Sequence, residues 1–370
     1  MTTLKSIRIL GWKSIKDSDK IELRQLNVFI GANGCGKSNF VSFFKLLNEM
    51  TGERLQEFIA TSGGAESVLH YGAKVTPILE ASLEFDTATG TSGYLMKLVN
   101  AAVDTLIFTE ESVEFHRLGF PLPPQREVLG SGHRETVLGI KAKEGNMTAR
   151  VVRSLVVGCR VYQFHDTSSN SQIRRPSYVD NDRFLLPDGG NLAAMLYRFR
   201  ESERTAYDRI VNTIKQIAPF FGDFELEPMP RNPKNILLNW REKGVEQVFG
   251  PHQISDGTLR AMALITLLLQ PETSLPTVIV IDEPELGLHP YAIGVLASLV
   301  KKAAHHCQVI LATQSPALLD EFDPEDIVVV DRESKESKFR RLEPPQLEAW
   351  LDEYTLSEVW EKNVFGGGPH

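Results

Sequence analysis

The stretch Gly31-Ala-Asn-Gly-Cys-Gly-Lys-Ser38, which follows the apolar run Leu26–Ile30, decides the fold of this chain. It fits the pattern G-x-x-x-x-G-K-[ST] in the setting that this pattern needs, with a buried strand before it and a helix after it. The glycines allow backbone angles and a close approach that a Cβ would block, so that successive N–H groups can point at one phosphate. The sequence therefore predicts a phosphate-binding loop.

Each polar position of the loop has an expected role toward a nucleotide. Lys37 is expected to reach the β- and γ-phosphates and Ser38 Oγ to bind Mg²⁺, which makes ATP and Mg²⁺ the predicted cofactors. A helix beginning near Lys37 and running through Phe40–Met50 adds its positive N-terminal end. The residues predicted to contact the nucleotide are Gly31, Asn33, Gly34, Cys35, Gly36, Lys37, Ser38 and Asn39.

A second candidate site lies far downstream, where the apolar run Thr277–Ile281 ends in Asp282 and Glu283. An apolar strand of this kind is typical of a parallel sheet, and α/β folds place ligands at the carboxyl ends of such strands. Asp282 is the predicted Mg²⁺ partner, and Glu283 is expected to orient or deprotonate an attacking water. An acidic pair at a strand end is common by itself, but together with the phosphate loop it predicts phosphoryl chemistry.

The length, composition and net charge of the chain indicate a globular protein of one or two domains. The chain has 370 residues, enough for two average domains or for one large α/β domain with an insertion. Its 42% hydrophobic and 24% charged residues are typical of a globular protein. A net charge of −8 argues against binding of nucleic acid over most of the protein surface. A local basic groove is compatible with this net charge, so DNA stays a candidate partner.

Hydropathy and cysteine usage indicate the compartment. No stretch approaches the roughly 18 consecutive apolar residues that a membrane helix needs, and the first residues lack an apolar signal core. The three cysteines, Cys35, Cys159 and Cys307, are scattered without CxxC spacing, which fits a reducing compartment and argues against zinc. We therefore expect a cytoplasmic protein with no membrane partner.

The hydrophobic pattern divides the chain into four expected segments. Residues 1–75 carry short strands, Ser6–Leu10 and Ile21–Leu23, that lead into the loop strand. Residues 76–165 alternate in short runs, Thr136–Ile140 among them, and predict an antiparallel β layer. Residues 166–250 are predicted as a helical, lid-like insertion, with one or two helices over Asn191–Ala218.

In residues 251–370 the α/β pattern resumes and continues into a C-terminal tail. The predicted elements there are the helices Leu259–Leu269 and Tyr291–Ala304 and the strands Thr277–Ile281, Gln308–Ala312 and Ile327–Val330. One nucleotide domain is thus expected to be split by an insertion.

Two further motifs point to a family. Ser255-Asp-Gly-Thr258 opens an apolar helix just upstream of the Asp282 strand, and Gln314 follows the next strand. The order of phosphate loop, long insertion, Ser-Asp-Gly signature, acidic strand end and switch residue resembles that of ABC-type ATPases. The element Glu283-Pro-Glu-Leu-Gly-Leu-His-Pro290 is similar to that of the soluble RecF-like and SMC-like group, where transporter ATPases carry a different stretch.

This resemblance implies a P-loop NTPase of the α/β class with an ABC-type ATPase head, in which an antiparallel β layer and a helical insertion separate the two halves. It also implies a head-to-tail homodimer around two ATP molecules. Ser255, Asp256, Gly257 and Thr258 of one protomer would then contact the γ-phosphate held by the other. A helix N-terminus is a suitable anion site for this purpose. The plainer interpretation of these residues is a simple helix N-cap.

Two positions depart from the pattern of the family. Many relatives carry His where this chain has Gln314, and a neutral amide can hydrogen-bond a phosphate or a water without adding positive charge. We therefore expect retained but slower hydrolysis, with Gln314 as a catalytic residue. The Gln that bridges Mg²⁺ and the lid has no clear match: Gln163, His165 or Asp166 could serve, and a plain strand end with a turn is the alternative.

The resemblance further implies that the ATP cycle drives or gates a partner, in phage defence or DNA repair. The expected partner is an effector protein encoded nearby, a nuclease being one candidate. Relatives of the overcoming-lysogenization-defect type carry a Toprim nuclease domain, which we expect this chain to lack.

The competing hypothesis is a nucleotide-gated scaffold or DNA-binding module with negligible turnover. The acidic run Asp320–Asp326 is expected to form a solvated turn and not a metal site.

Overall fold

The computed structural model describes residues 2–343 and 348–368, apart from the side chains of residues 348 and 349. The end of the predicted tail, residues 369 and 370, therefore lies outside the described residues. The chain divides into two compact units. The first unit comprises Met1–Val161, Pro276–Val280 and Cys307–His370, and the second comprises Tyr162–Leu275 and Ile281–His306. The expected segment 166–250 falls in the second unit, whereas 251–370 is shared between the two.

The elements are numbered along the chain. The strands are β1 (Thr3–Trp12), β2 (Ile15–Asp17), β3 (Ile21–Glu22), β4 (Leu26–Ile30), β5 (Ile78–Thr87), β6 (Gly90–Ala101), β7 (Thr105–Arg117), β8 (Gln125–Gly130), β9 (Cys159–Tyr162), β10 (Ser177–Tyr178), β11 (Phe221–Glu225), β12 (Pro228–Met229), β13 (Asn232–Ile236), β14 (Asn239–Glu242), β15 (Val248–Phe249), β16 (Val278–Asp282), β17 (Gln308–Thr313), β18 (Ile327–Glu333) and β19 (Glu336–Arg341). The α-helices are α1 (Lys37–Thr51), α2 (Leu55–Thr61), α3 (Ala65–Val68), α4 (Leu138–Lys143), α5 (Met147–Val157), α6 (Leu192–Ser202), α7 (Arg204–Ile217), α8 (Asp256–Leu269), α9 (Pro290–Ala304), α10 (Pro316–Leu319), α11 (Glu348–Leu351) and α12 (Leu356–Glu361).

A six-stranded sheet of order β19-β18-β4-β17-β16-β9 organises the nucleotide half of the chain. Strand β4 runs parallel to both of its neighbours, with Ile30 opposite Thr313 of β17 and opposite Val329 of β18. Every residue of β4, β16 and β17 is buried, as expected for apolar strands that are covered on both faces. The carboxyl ends of β4, β17 and β18 therefore meet at one edge of the sheet.

A second sheet of the first unit is antiparallel, in the order β2-β1-β5-β6-β7-β8 with β3 also paired to β1. Along β5 the residues alternate between buried and half-buried positions, and the buried set, Leu79, Ala81, Leu83 and Phe85, joins the core that also contains α1. The predicted β layer is thus present from Ile78 to Gly130.

The strand predicted over Thr136–Ile140 is wrong, because this stretch runs into the helix α4. Leu138 and Ala142 are buried four residues apart, which is the spacing of one helix face. A second helix, α5, follows at once, and Asn146 caps it by accepting a hydrogen bond from the N–H of Ala149 at 2.9 Å. Residues 138–157 therefore depart from the expected β layer.

Where the sequence predicts one or two helices over Asn191–Ala218, the second unit contains two, α6 and α7, which end at Ser202 and Ile217. Helix α7 packs against α8 and α9. The rest of the predicted helical insertion includes two small antiparallel sheets, β10-β13-β12 and β11-β14-β15. Aromatic contacts hold the second of these together, with Phe221 4.8 Å from Phe224 and 6.2 Å from Trp240 between ring centroids.

Candidate functional site

Three glycines shape the phosphate loop between β4 and α1, for two different reasons. Gly34 and Gly36 have φ values of +78° and +119°, in the left-handed region that favours glycine. A Cβ on Gly36 would also lie 2.0 Å from Ser337 Oγ. Gly31 is required for space, since its Cβ would lie 2.3 Å from the carbonyl oxygen of Val330. A side chain is therefore excluded by space at Gly31 and Gly36 and disfavoured by the backbone angle at Gly34.

Lys37, the first residue of α1, lies buried on this loop with 5% of its surface exposed. Its Nζ donates to the carbonyl oxygen of Gly31 at 2.5 Å and to that of Ala32 at 3.1 Å. The first turn of α1 contains no acidic residue, and Ser38 is exposed there. An ammonium group, a helix N-terminus and an exposed hydroxyl are thus combined in a cradle, which fits the phosphates of a nucleotide and an oxygen ligand for Mg²⁺.

A buried serine supports the loop from the edge strand β19. Ser337 is fully buried, and its Oγ donates to the carbonyl oxygen of Cys35 at 2.6 Å. Ser14 Oγ lies 2.7 Å from Ser337 Oγ and accepts a hydrogen bond from Asn39 Nδ2 at 2.6 Å. Sequence reasoning missed Ser14 and Ser337, because no motif marks a serine 302 residues from its partner in the loop.

Gln314, the predicted switch residue, directly follows β17. Because Thr313 pairs with Ile30 in a parallel register, Gln314 leaves the sheet at the same edge as Gly31. Its side chain is half-buried. The structure therefore brings the phosphate loop and Gln314 to one end of the first unit.

In the second unit, Asp282 is a buried carboxylate with 4% exposure at the end of β16. Its Oδ2 accepts a hydrogen bond from Gln163 Nε2 at 2.8 Å, and its backbone oxygen lies 2.9 Å from His165 Nε2. Asp166 is exposed, and its Oδ1 instead accepts a hydrogen bond from the N–H of Ser168 at 3.0 Å. Hydrogen bonds from the side chain and the backbone of Ser168 lower the pKa of the Asp166 carboxyl. Among the three alternatives, Gln163 is the residue whose side chain contacts the carboxylate of the predicted Mg²⁺ ligand, whereas His165 contacts its backbone oxygen.

Glu283 has an unusual backbone conformation. Its φ is +44°, and its carbonyl oxygen accepts a hydrogen bond from the N–H of Leu286 at 3.2 Å. A non-glycine residue in the left-handed region costs about 1–3 kcal/mol and persists where the surrounding structure holds it. Strain of this kind often marks an active site, and here it falls on the predicted catalytic carboxylate.

Ser255 caps α8. Its exposed Oγ accepts a hydrogen bond from the N–H of Thr258 at 3.2 Å, so the helix-cap interpretation is correct as far as geometry goes. The side chain of the neighbouring Asp256 pairs with Arg174, whose Nη2 lies 2.6 Å from Asp256 Oδ1, and this hydrogen bond lowers the pKa of Asp256. Arg174 is 5% exposed and also donates to the carbonyl oxygens of Thr167, Pro251 and Ile254. Arg174 therefore fixes the entry into α8.

A second arginine connects helix α8 to two loop segments of the second unit. Arg260, in the second turn of α8, donates to the carbonyl oxygens of Phe164 at 3.1 Å, His165 at 2.7 Å and Leu286 at 3.2 Å. These bonds tie the signature helix to the segment that carries Gln163 and to the loop that follows Glu283. Sequence reasoning missed this role, since the partners of Arg260 are backbone atoms that no motif identifies.

The predicted site residues thus lie in two groups, each described within its own unit. The first unit holds Gly31–Asn39 and Gln314, and the second holds Asp282, Glu283 and Ser255–Thr258. None of the described helices combines the length and the apolar character that crossing a membrane requires.

Comparison with known families places this geometry in context. Residues 163–320 match a family model described as "AAA domain, putative AbiEii toxin, Type IV TA system". The matched range begins at Gln163 and includes the signature, the acidic pair and Gln314. No curated protein matches the chain.

Solved structures share the fold. An SMC head bound to the C-terminal winged-helix domain of ScpA has a TM-score of 0.59 and 15% identity, over 95% of this chain and 99% of that chain. An SMC head with an extended coiled coil, bound to the C-terminal domain of ScpA and derived from Pyrococcus furiosus, has a TM-score of 0.58 and 14% identity over the same shares. The chain therefore has a P-loop fold similar to that of these SMC heads, and residues 163–320 match the AAA-domain family model.

Proposed function

We propose that this protein binds Mg·ATP and hydrolyses it to ADP and phosphate in a dimer that closes around two nucleotides. The observation that carries the proposal is the buried Lys37 ammonium at the start of α1, on a loop in which Gly31 and Gly36 have no room for a Cβ. Such an arrangement binds phosphates in P-loop proteins. The fold shared with SMC heads supports the same activity.

The proposed roles follow the chemistry of each side chain. Lys37 binds the β- and γ-phosphates, while Ser38 and Asp282 hold Mg²⁺, with Gln163 orienting Asp282 through their hydrogen bond. Bound Mg²⁺ supplies positive charge that neutralises the phosphate oxygens. Glu283 orients the water that attacks the γ-phosphorus and accepts its proton, and the bond to the bridging oxygen of ADP breaks. Gln314 donates a hydrogen bond to the γ-phosphate or positions that water.

The signature Ser255–Thr258 is proposed to act on the nucleotide of the partner protomer. The first N–H groups of a helix have no partner within the helix, and Ser255 Oγ takes only that of Thr258. The remaining amides at the start of α8 form the proposed anion site. We therefore infer a head-to-tail homodimer that forms in the presence of ATP.

The wider role is also a proposal. The SMC heads of similar fold were solved with ScpA bound, and the matching family model refers to a toxin–antitoxin system. Both support an ATP cycle that gates a partner protein in phage defence or DNA repair. We propose a cytoplasmic location, an effector encoded nearby, with a nuclease as one candidate, and DNA as a further ligand.

Steady-state phosphate release by the purified chain with Mg·ATP tests the proposal. We expect continuous turnover that Lys37→Ala abolishes, because the variant loses the ammonium that binds the phosphates. ATP binding without measurable turnover would instead favour a nucleotide-gated scaffold, the alternative that the neutral Gln314 supports. Absence of ATP binding would contradict both.

A further inference from the structure

The segment Thr355–Gly368, here named the C-terminal segment, is firmly packed in the first unit. The N–H and Oγ of Ser357 both donate to the Asp320 carboxylate, at 2.7 and 2.6 Å. The N–H of Gly367 donates to Asp331 Oδ1 at 2.5 Å. The side chains of Val359, Trp360 and Phe365 are buried. This segment is therefore anchored to the protein both in the first turn of α12 and after the helix.

Gly367 lies directly against the phosphate loop. A Cβ on Gly367 would be 3.6 Å from Gly31 Cα and 2.9 Å from Val329 Cγ1. Val329 belongs to β18 and pairs with Ile30, the residue before Gly31. Gly31 has no space toward β18 either, since its own Cβ would meet the carbonyl oxygen of Val330. The first glycine of the loop is thus confined by β18 and by Gly367.

The loop and the C-terminal segment also face each other across one cavity. It has a volume of about 570 Å³ and is lined by residues 32–35 of the loop, by Val330–Glu333 at the end of β18 and by Gly366–Gly368. A displacement of the C-terminal segment therefore changes a wall that the phosphate loop shares.

We propose that the C-terminal segment sets the backbone position of the phosphate loop through Gly367, which makes Gly367 a positioning residue for the nucleotide. This inference rests on the proposed ATP binding. The physical link is Gly31, whose carbonyl oxygen accepts the hydrogen bond from Lys37 Nζ. A Cβ at position 367 collides with Val329 Cγ1 and lies in van der Waals contact with Gly31 Cα, so a larger side chain there displaces the loop amides and the ammonium that must meet the phosphates. Phosphate binding depends on this geometry, because a small displacement of the loop weakens all of its contacts with the phosphates together.

Gly367→Val tests this inference, with Gly119→Val as the matched control. Gly367 and Gly119 have φ values of +70° and +72°, so both variants carry the same kind of backbone strain. A Cβ on Gly119 meets nothing within 4 Å, whereas one on Gly367 meets the loop. The affinity for N-methylanthraniloyl-ATP with Mg²⁺ and the thermal unfolding midpoint are measured for both variants and for the wild-type chain.

We expect Gly367→Val to bind the fluorescent nucleotide roughly tenfold more weakly than the wild-type chain. KM for ATP should rise with kcat largely kept, while Gly119→Val leaves the affinity unchanged. Gly367→Ala should fall between the wild type and the valine variant. Wild-type affinity in a folded Gly367→Val chain would overturn the inference. Failure of the wild-type chain to bind the nucleotide would overturn the proposed function as well.

A variant without added bulk covers the case in which Gly367→Val does not fold. Asp331→Ala removes the acceptor of the Gly367 N–H and so loosens the C-terminal segment from β18. We expect a folded protein with weaker nucleotide binding. Unchanged affinity in this variant, with Gly367→Val unfolded, would also count against the inference.

Discussion

At the scale of single residues, the acidic pair that ends β16 has two different environments. Asp282 is buried and held by Gln163, whereas Glu283 is half-buried and lies in a left-handed backbone conformation. A buried carboxylate that is held by a hydrogen bond is suited to be a metal ligand in a fixed position. A half-buried carboxylate, on a strained turn that the surrounding structure holds in place, is suited to meeting a water molecule.

This difference leads to a prediction for Glu283→Gln. We expect ATP binding to remain and turnover to fall by roughly 10²-fold or more, because the amide cannot accept the proton of the attacking water. Nucleotide affinity and phosphate release are measured on the same preparation, and the variant should accumulate as an ATP-bound dimer. Near wild-type hydrolysis would show that Glu283 is not the catalytic carboxylate.

At the scale of elements, helix α8 connects several parts of the second unit. Its N-terminus carries the signature, while Arg260 in its second turn holds the backbone next to Gln163 and the loop after Glu283. Gly257 packs against the same loop, since its Cβ would lie 2.3 Å from the carbonyl oxygen of Gly287. A displacement of α8 therefore changes the surroundings of Asp282 and Glu283.

We accordingly predict that Arg260→Lys lowers turnover about tenfold and leaves nucleotide affinity unchanged. A lysine keeps the charge but cannot reach three carbonyl oxygens with one planar group, and a loss of about 1.4 kcal/mol in the transition state corresponds to that factor. Arg204→Lys is the control, because Arg204 belongs to the same unit but forms an exposed pair with Asp208 on α7. Equal turnover in the two variants would argue against a role of Arg260 in catalysis.

At the scale of the whole molecule, the proposed active site requires two copies of the chain. Lys37→Ala and Ser255→Arg should each be inactive alone, since one lacks the phosphate-binding ammonium and the other blocks the start of α8. Mixing them should restore part of the activity, because a mixed dimer contains one intact pair of phosphate loop and signature. Phosphate release after mixing checks this prediction. No recovery, in a mixture shown to contain mixed dimers, would contradict the head-to-tail arrangement.

We also predict that the purified chain does not cut DNA or RNA with Mg²⁺ or Mn²⁺, with or without ATP. A two-metal nuclease needs several carboxylates that converge on ions roughly 3.5–4 Å apart. In the acidic run Asp320–Asp326, both oxygens of Asp320 already accept hydrogen bonds from Ser357. Among the described residues, no three His, Cys, Asp or Glu side chains are grouped so that they could hold a metal ion.

Incubation of plasmid DNA and of RNA with the chain checks this last prediction. Metal-dependent cleavage that survives Lys37→Ala and disappears when Asp323, Glu325 and Asp326 are neutralised would contradict it. The chain would then be the effector itself, and the partner protein of the proposed function would not be needed.

The sequence by itself determined the features that depend on neighbouring residues. The strand β4, the glycine loop and the start of α1 follow from local sterics, and so do the Ser255 cap and the helical character of Asn191–Ala218. The strand predicted over Thr136–Ile140 was wrong, because a short apolar run fits either a strand or a helix and packing decides between them.

Only the tertiary structure decided which distant residues support the site. Ser337 donates a hydrogen bond to the carbonyl oxygen of Cys35, 302 residues away in the sequence. Gln163 donates one to Asp282, 119 residues away, and Gly367 lies against Gly31. A motif records the residues that must face a ligand, since their spacing along the chain is set by one turn or one strand end. The residues that hold the motif in place are brought to it by sheet register and core packing, which no local pattern of side chains encodes.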